Sequence, residues 1–512
     1  MTGAGGPPFD ATPFLRAYAR WRLGRIEALD WVAAQERLLL SLLRRAARTR
    51  FGRAHGFGAI RSVADFQARV PLRRYEAFWE EYWRPAYPVL EDLTWPGRVP
   101  YFALSSGTTS GRTKHIPVTR PMVRANRAAA LDVLCWHLAR HPRSRVLGGL
   151  SFLLGGSTAL EEVAPGVRQG DLSGIAAAEV PAFARPWYWP PPELALIPDW
   201  DRKIAALAAA TPVARVRSLG GTPSWLLMLF ERLAERHGRP PLPALELLVH
   251  GGVAWAPYRA RMAPWLPPGC ATREVYPASE GFFAIADRGE GEGLRLIADG
   301  GCFFEFVPLA ELDSPAPARH WAATVETGVE YAIVVTTCAG LWAYVVGDTV
   351  RFVERAPPRL LVTGRTSYFL SAFGEHLSGE EIEAALLAAA REAGLAVAEY
   401  CVGPVFGRAG GHHRWLVETA APAGGEAAAR LAAALDAALA AANDDYRAHR
   451  AGRQLGPPEV VLLPPGAFAA WMRREGRLGG QHKVPRVVAD PERFAAIAAA
   501  VADAAAGGEP RR

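Results

Sequence analysis

Lysine is almost missing from this chain. Of its 58 basic residues only Lys114, Lys203 and Lys483 are lysine; the others are arginine. Arginine therefore serves nearly every cationic role, and a surviving lysine points to a place that needs a compact ammonium rather than a planar fork. Retention by chance is the alternative at each site. Cysteine is scarce too. Five of them (Cys135, Cys270, Cys302, Cys338, Cys401) stand far apart with no C-x-x-C spacing, which argues against a disulfide framework or a zinc ribbon and fits a reduced cytoplasm. Long apolar runs are lacking as well. The longest uncharged stretch, between Glu330 and Asp348, is broken by Ala339-Gly340. It reads as two strands and a tight turn, too short for a membrane span. The Met1 end, MTGAGGPPFD, has neither the charged start nor the apolar run of a signal peptide. A soluble, cytoplasmic protein is expected.

The formal charge of +7 invites a nucleic-acid reading, but its source argues against one. The arginines are dispersed among acids (Arg232, Glu235, Arg236; Glu80, Glu81, Arg84) rather than gathered on one face. With so much alanine, glycine and proline they look like coding bias on a solvated surface. His412-His413 is the histidine doublet; with no cysteine or carboxylate at ligand spacing beside it, no metal role is expected there.

What is present is ample core material. Half of the 512 residues are hydrophobic, and the length suggests about three units at roughly 150 residues each. Helical periodicity fills Phe14 to Arg48. Strand-like runs then alternate with helical ones from Tyr101 to about Leu361, among them Val146 to Leu154, Leu245 to Gly252 and Tyr331 to Thr337. Apolar runs separated by helices predict an α/β fold with mixed, largely parallel sheets. After Gly364 the texture changes. Ser378 is placed to cap an Ala/Leu-rich helix with Glu381 three residues on; strands at Tyr400 to Val405 and Trp415 to Glu418, then a helix at Gly425 to Asn443, complete a smaller α+β unit. Gly507 onwards reads as a frayed tail.

Four segments carry chemistry. Ser105-Ser106-Gly107-Thr108-Thr109-Ser110-Gly111-Arg112-Thr113-Lys114 comes directly after the short run YFAL. Small hydroxyl residues and glycines let backbone N–H groups surround phosphate oxygens, and a lysine adds charge. It is not a Walker A loop, whose Lys directly follows its second glycine; a plain Ser/Gly turn is the alternative. In Tyr276-Pro277-Ala278-Ser279-Glu280-Gly281 an acid near a strand end can hold Mg²⁺ on a nucleotide phosphate, or simply cap. In Tyr344-Val345-Val346-Gly347-Asp348 the carboxylate can accept from both hydroxyls of a ribose, or simply close a turn. The fourth is Gly480-Gln481-His482-Lys483-Val484-Pro485-Arg486.

In this order and spacing, the four segments resemble the adenylate-forming superfamily. SSGTTSGRTK, YAIVVTTCAGLWAYVVGD, the Tyr276/Ser279/Glu280 triplet and QHKVPR are similar to its acyl-acid amido synthetase branch, the Gretchen Hagen family of auxin-response proteins and their bacterial relatives. FQARVPLRRYE and GRTSYFLSAFGEHLSGEEIE also look like this family, so the resemblance runs from about Thr49 to Val488. It implies a bacterial-type ligase that joins an acid to an amine, such as an amino acid, through an acyl adenylate. ATP and Mg²⁺ are the implied cofactors. Ser105, Ser106, Gly107, Thr108, Thr109, Gly111 and Lys114 would hold the β- and γ-phosphates, and Gly251, Gly252 and Tyr276 would flank the adenine. Ser279 would touch the α-phosphate, Glu280 ligate Mg²⁺, and Asp348, with Arg365, hold the ribose. Lys483 would be the catalytic lysine.

A large adenylating domain (1–363), a hinge (364–368) and a small mobile C-terminal domain (369–512) are implied. Plant members carry an Asp-rich hinge where this chain has FLSAFGEH, which leaves the hinge residue open. His115 and His482 could each assist deprotonation of the amine, although packing is the plainer role for both. Trp187-Tyr188-Trp189, Trp225 and Phe282-Phe283 could line an aromatic acid pocket or simply fill a core. An acyl-CoA ligase of the same superfamily and a non-catalytic nucleotide-binding module are the rival readings. No nucleic acid or membrane is an expected partner.

Overall fold

The computed structural model describes residues 7–505 apart from 107–112, 157–159, 198, 254, 313, 367–368, 371, 374, 376, 408–409, 452–454 and 479–482. The expected tail from Gly507 lies outside the described residues. The described residues divide into two units: the larger takes those up to Val346 together with Val350–Val362, and the smaller takes Gly347–Thr349 and those from Thr363 on. No helix among the described residues is long and apolar enough to cross a membrane.

The larger unit opens with two helices, Thr12–Glu27 and Trp31–Ala46, the second capped by the Asp30 side chain. Its main sheet is mixed and has twelve strands. The parallel part comprises Tyr188–Trp189, Leu150–Leu154, Val216–Gly221, Leu247–Gly251 and Ala271–Ala278, the run that sits between helices in sequence. Among the remaining strands the pairing is antiparallel, in part across a short turn as between Ala271–Ala278 and Gly281–Ile285 and in part between segments far apart in sequence, such as Leu294–Leu296 with Pro358–Arg365 and Cys302–Pro308 with Glu330–Thr337. A second, four-stranded sheet pairs Tyr101–Ser106 antiparallel with Thr113–Val118 and parallel with Val167–Gly170.

Much of the aromatic composition goes into one core. Phe51, Phe66, Phe78, Trp83, Trp342 and Tyr344 are all fully buried there. Trp83 and Trp342 direct their indole N–H groups to the Thr94 hydroxyl and carbonyl, at 3.3 and 2.9 Å, so neither buried donor is orphaned. The expected pair of strands around Ala339-Gly340 is found as Glu330–Thr337 and Tyr344–Arg355.

In the smaller unit, three strands make one sheet: Val397–Gly407 and Gly410–Thr419 antiparallel, then Glu459–Leu463 parallel to the second. Side chains alternate across it. Tyr400, Val402, Trp415 and Val417 face the Gly379–Glu392 and Gly425–Ala442 helices, whereas Cys401 and Leu416 face Ala467–Arg474 and Pro491–Ala505. The Ser378 cap and its reciprocal Glu381 contact are both formed.

Candidate active site

The hydroxyl-rich segment is the connection of a hairpin. Ser105 and Ser106 end one strand and Lys114 begins the other, with Ser105 opposite Lys114. Gly107, Thr108, Thr109, Ser110 and Gly111 lie outside the described residues. Lys114 places its ammonium 5.5 Å from the Tyr75 ring centre, and the Tyr75 hydroxyl accepts a 2.9 Å hydrogen bond from the His115 N–H. Burial pushes the Tyr75 phenol up to about 12, so it remains a neutral platform. His115 itself is layered against Trp79 and Tyr87, with ring centres 5.4 and 4.9 Å away. Burial lowers its pKa. That is the packing role; the ring belongs to an aromatic layer.

Tyr276, Ser279 and Glu280 are set by a second hairpin. Ala278 pairs with Gly281, so Ser279 and Glu280 form the turn itself. Glu280 is only 8% exposed and faces the fully buried Tyr344 hydroxyl, too loosely for a geometric hydrogen bond. Burial and then the Glu280 carboxylate push the Tyr344 phenol well above its ordinary value, with Glu76 and Tyr75 adding to the effect. Arg73, two residues before Tyr75, pairs with Tyr344 and accepts from the Val345 N–H at 2.9 Å, so the chain that sets Tyr75 beside Lys114 brings the lysine and the acid into one neighbourhood of the larger unit. A buried carboxylate whose neighbouring phenol stays protonated is a suitable single protein ligand for Mg²⁺, which takes most of its oxygens from phosphate and water. No cluster of three metal-ligating side chains exists among the described residues, so an all-protein metal cage is not what these residues build.

Gly251 ends the Leu247–Gly251 strand beside Val275. A Cβ there would stand 2.3 Å from the Val275 carbonyl oxygen, so only glycine permits this approach next to Tyr276. Gly252 comes next, with φ 83°. Tyr276 is buried and meets Phe283 edge-on at 5.1 Å. Three of the other aromatic candidates are spent on packing: Trp187 donates to the Leu147 carbonyl at 2.9 Å, Trp189 to the Thr211 hydroxyl at 3.1 Å, and Phe283 is core, whereas Tyr188 is exposed and Trp225 half-buried. Trp225 lies 5.2 Å from Trp200.

In the smaller unit Asp348 Oδ1 pairs with Arg365 Nε at 3.2 Å. Gly347, at φ 96°, turns its carbonyl to accept from the Thr366 N–H at 2.9 Å. The chain just beyond Lys483 is anchored by Arg486. That arginine binds Glu399 and Glu383 at 2.9 and 3.2 Å, and Val402 N–H donates to its carbonyl. The Lys483 side chain is exposed by surface area, but its ammonium is shielded by surrounding protein. That desolvation, then the Arg365 guanidinium, draws its pKa down to about 8 against the pull of Asp348. Gly480, Gln481, His482 and the hinge residues Ser367 and Tyr368 lie outside the described residues. The histidine doublet is used in pairing: His412 meets Glu459 at 2.8 Å and His413 meets Glu375 at 2.7 Å.

Tyr75, Tyr344 and Arg486 could not be singled out from the sequence. Nothing in the spacing of a lone tyrosine or arginine sets it apart. Only the folding together of distant segments does.

Three models of one family match successive parts of the chain: the GH3 family N-terminal domain over residues 25–216, the central domain over 295–365 and the C-terminal domain over 380–492. A probable indole-3-acetic acid-amido synthetase, GH3.9, of Oryza sativa subsp. japonica is 33% identical over 239 residues, which cover 42% of this chain and 53% of that protein. The indole-3-acetic acid-amido synthetase GH3.3 of Arabidopsis thaliana is 28% identical over 267 residues, covering 49% and 44%. The chain thus spans about half the length of these curated relatives. Among solved structures, the GH3.15 acyl acid amido synthetase superposes with a TM-score of 0.78 at 19% identity, covering 96% of this chain and 97% of that one. A 2-hydroxyisobutyryl-CoA ligase in its postadenylation state superposes at 0.56 and 17%, covering 97% and 94%. At these identities the superpositions establish a shared fold. With all three of its domain models matched in order along the sequence, the chain belongs to the GH3 family.

Proposed function

We propose that this protein is an ATP-dependent acyl-acid amido synthetase of bacterial type, which adenylates a carboxylic acid and passes the acyl group to an amine such as an amino acid. The observation that carries the reading is the shared neighbourhood of Lys114 and Glu280 across Tyr75 and Tyr344, beside a strand pair whose connection is rich in hydroxyls and glycine. Adenylation needs little acid–base chemistry: a carboxylate attacks the α-phosphorus and pyrophosphate leaves, so the barrier lies in crowding negative charges together. Lys114 and the hydroxyls of Ser105 and Ser106 would neutralise and orient the phosphates. Glu280 would hold Mg²⁺, which supplies charge neutralisation on the phosphate oxygens. Asp348, oriented by Arg365, would bind the ribose, and Lys483 would add positive charge where it develops. In the second step a neutral amine attacks the mixed anhydride and AMP departs.

Names of relatives support amide over thioester formation. The test is a screen of carboxylic acids for ATP-dependent pyrophosphate release, with and without amino acids, and with coenzyme A as the competing acceptor. Acid-dependent release stimulated by an amino acid is expected. Stimulation by coenzyme A alone would transfer the protein to the acyl-CoA ligases.

A further inference from the structure

The third lysine has no part in that chemistry. Lys203, in the Trp200–Ala210 helix, is 1% exposed and directs its ammonium at three carbonyls: Gly155 at 3.1 Å, Ala195 at 2.6 Å, and Gly156. Burial lowers its pKa to about 8, while the nearby Asp171 carboxylate favours the charged form. Gly156 is held from its other side as well. Its N–H donates to the Ser173 hydroxyl at 3.1 Å, and a Cβ on it would stand 1.8 Å from Asp171 Oδ2.

These groups lie at a particular edge. Gly155 and Gly156 come directly after the Leu150–Leu154 strand, which is parallel to Val216–Gly221, itself parallel to Leu247–Gly251. The clamped backbone is therefore two strands from Gly251 at the same end of the sheet, about 10 Å by ordinary strand spacing. Asp171 succeeds Val167–Gly170, parallel to Tyr101–Ser106 with Gly170 opposite Ala103; one step further along both strands, it comes abreast of Leu104, next to Ser105. Lys203, Gly156 and Asp171 thus join the two sheets of the larger unit where the hydroxyl segment and the glycine pair begin. The Trp200 ring lies 6.0 Å from the ammonium, and half-buried Trp225 lies 5.2 Å from Trp200.

A buried cation is a poor device for stability alone, because well-packed apolar residues do as well or better in such places. What the ammonium supplies is geometry. Three rotatable donors on one atom reach three carbonyls from two separate segments, and a planar guanidinium does not fit that arrangement. We propose that Lys203 is a positioning residue for the acid substrate: it fixes the Gly155-Gly156 backbone as a wall of the acid pocket, beside Trp225. This rests on the amido synthetase reading.

The experiment compares Lys203→Met, Lys203→Arg and Ser173→Ala with the wild-type protein, using aryl and alkyl carboxylic acids in pyrophosphate release. In both lysine variants KM for the acid should rise about tenfold or more, Ser173→Ala should move it in the same direction, and KM for ATP should stay within about twofold. A lysine that only stabilises the fold would lower Tm and leave the acid KM unchanged, and that result overturns the proposal. Ser173→Ala decides the matter if the lysine variants do not fold. A wild-type protein that releases no pyrophosphate with any acid sinks the amido synthetase reading instead. Amide hydrogen exchange at Gly156 then judges the clamp: at least about tenfold faster exchange in a variant supports it, and equal exchange overturns it.

Discussion

Asp348 Oδ1 and Arg365 Nε stand 3.2 Å apart, and the open end of their strand pair is tied by the Thr366 N–H on the Gly347 carbonyl. The guanidinium fixes the direction in which the carboxylate looks. Asp348→Ala should therefore weaken ATP binding by about 1.5–3 kcal/mol, the scale for hydrogen bonds to a charged group. Arg365→Ala should weaken it less, since the carboxylate remains but loses its orientation. Calorimetry that finds the same Kd for Asp348→Ala removes that residue from the nucleotide site.

Glu280→Gln should raise the Mg²⁺ concentration needed for half-maximal pyrophosphate release several-fold while Tm stays close to that of the wild type. The amide keeps the shape and loses the charge that a hard cation requires. Tyr344→Phe should change metal dependence far less, because the phenol beside Glu280 stays protonated. A glutamine variant with normal metal dependence would reduce Glu280 to an ordinary turn residue.

Local structure was readable wherever a local rule governs it. The Ser378–Glu381 box and the tight turn at Ala339-Gly340 are cases, and both elements formed. The expected strand from Val146 forms only from Leu150. The reason is non-local: a Cβ at Gly149 would stand 2.3 Å from the Arg215 carbonyl oxygen, and Val146 is buried against the N-terminal helix instead. The same limit applies to the site. Lys114 and Glu280 could each be singled out by type, but their respective neighbours Tyr75 and Tyr344 are brought together by the pairing of Arg73 with Tyr344, which spacing along a chain does not encode. Lys203 stood out only through the rarity of lysine; its three carbonyls were invisible until the sheets were assembled.

His250 offers a test of acid sensitivity. It is 1% exposed, stacks on Trp255 with ring centres 3.7 Å apart, and neither ring nitrogen finds a partner among the described residues. Burial lowers its pKa from 6.5 to about 3. The unfolded chain therefore binds a proton below pH 6.5 that the folded chain refuses until about 3, so stability falls as pH drops through that window. At pH 5 the loss is about 2 kcal/mol relative to neutral pH. His250→Phe should abolish that part of the loss, narrowing the gap between denaturation midpoints measured at pH 7.5 and pH 5. An undiminished gap would show that His250 carries no such linkage.

Lys483 carries the sharpest expectation. Surrounding protein and the Arg365 guanidinium hold its ammonium near a pKa of about 8, so the charge proposed to assist adenylation is lost at only mildly alkaline pH. Acyl-adenylate formation in a single turnover should then fall as pH rises through about 8. Lys483→Ala should slow that step by roughly 10²–10³, the scale for removing one transition-state donor, and should leave ATP affinity nearly intact. It should also erase the alkaline limb, because no titrating group remains at the position. Lys483→Arg should be slow as well, since the fork does not replace a compact ammonium, yet its rate should stay flat across the same range, because arginine holds its proton far above it. Presynthesised acyl adenylate should react with the amine at a near-normal rate in all three proteins. An alanine variant that keeps both the rate and the limb would show Lys483 to be a surface residue, and the alkaline group would have to be sought elsewhere.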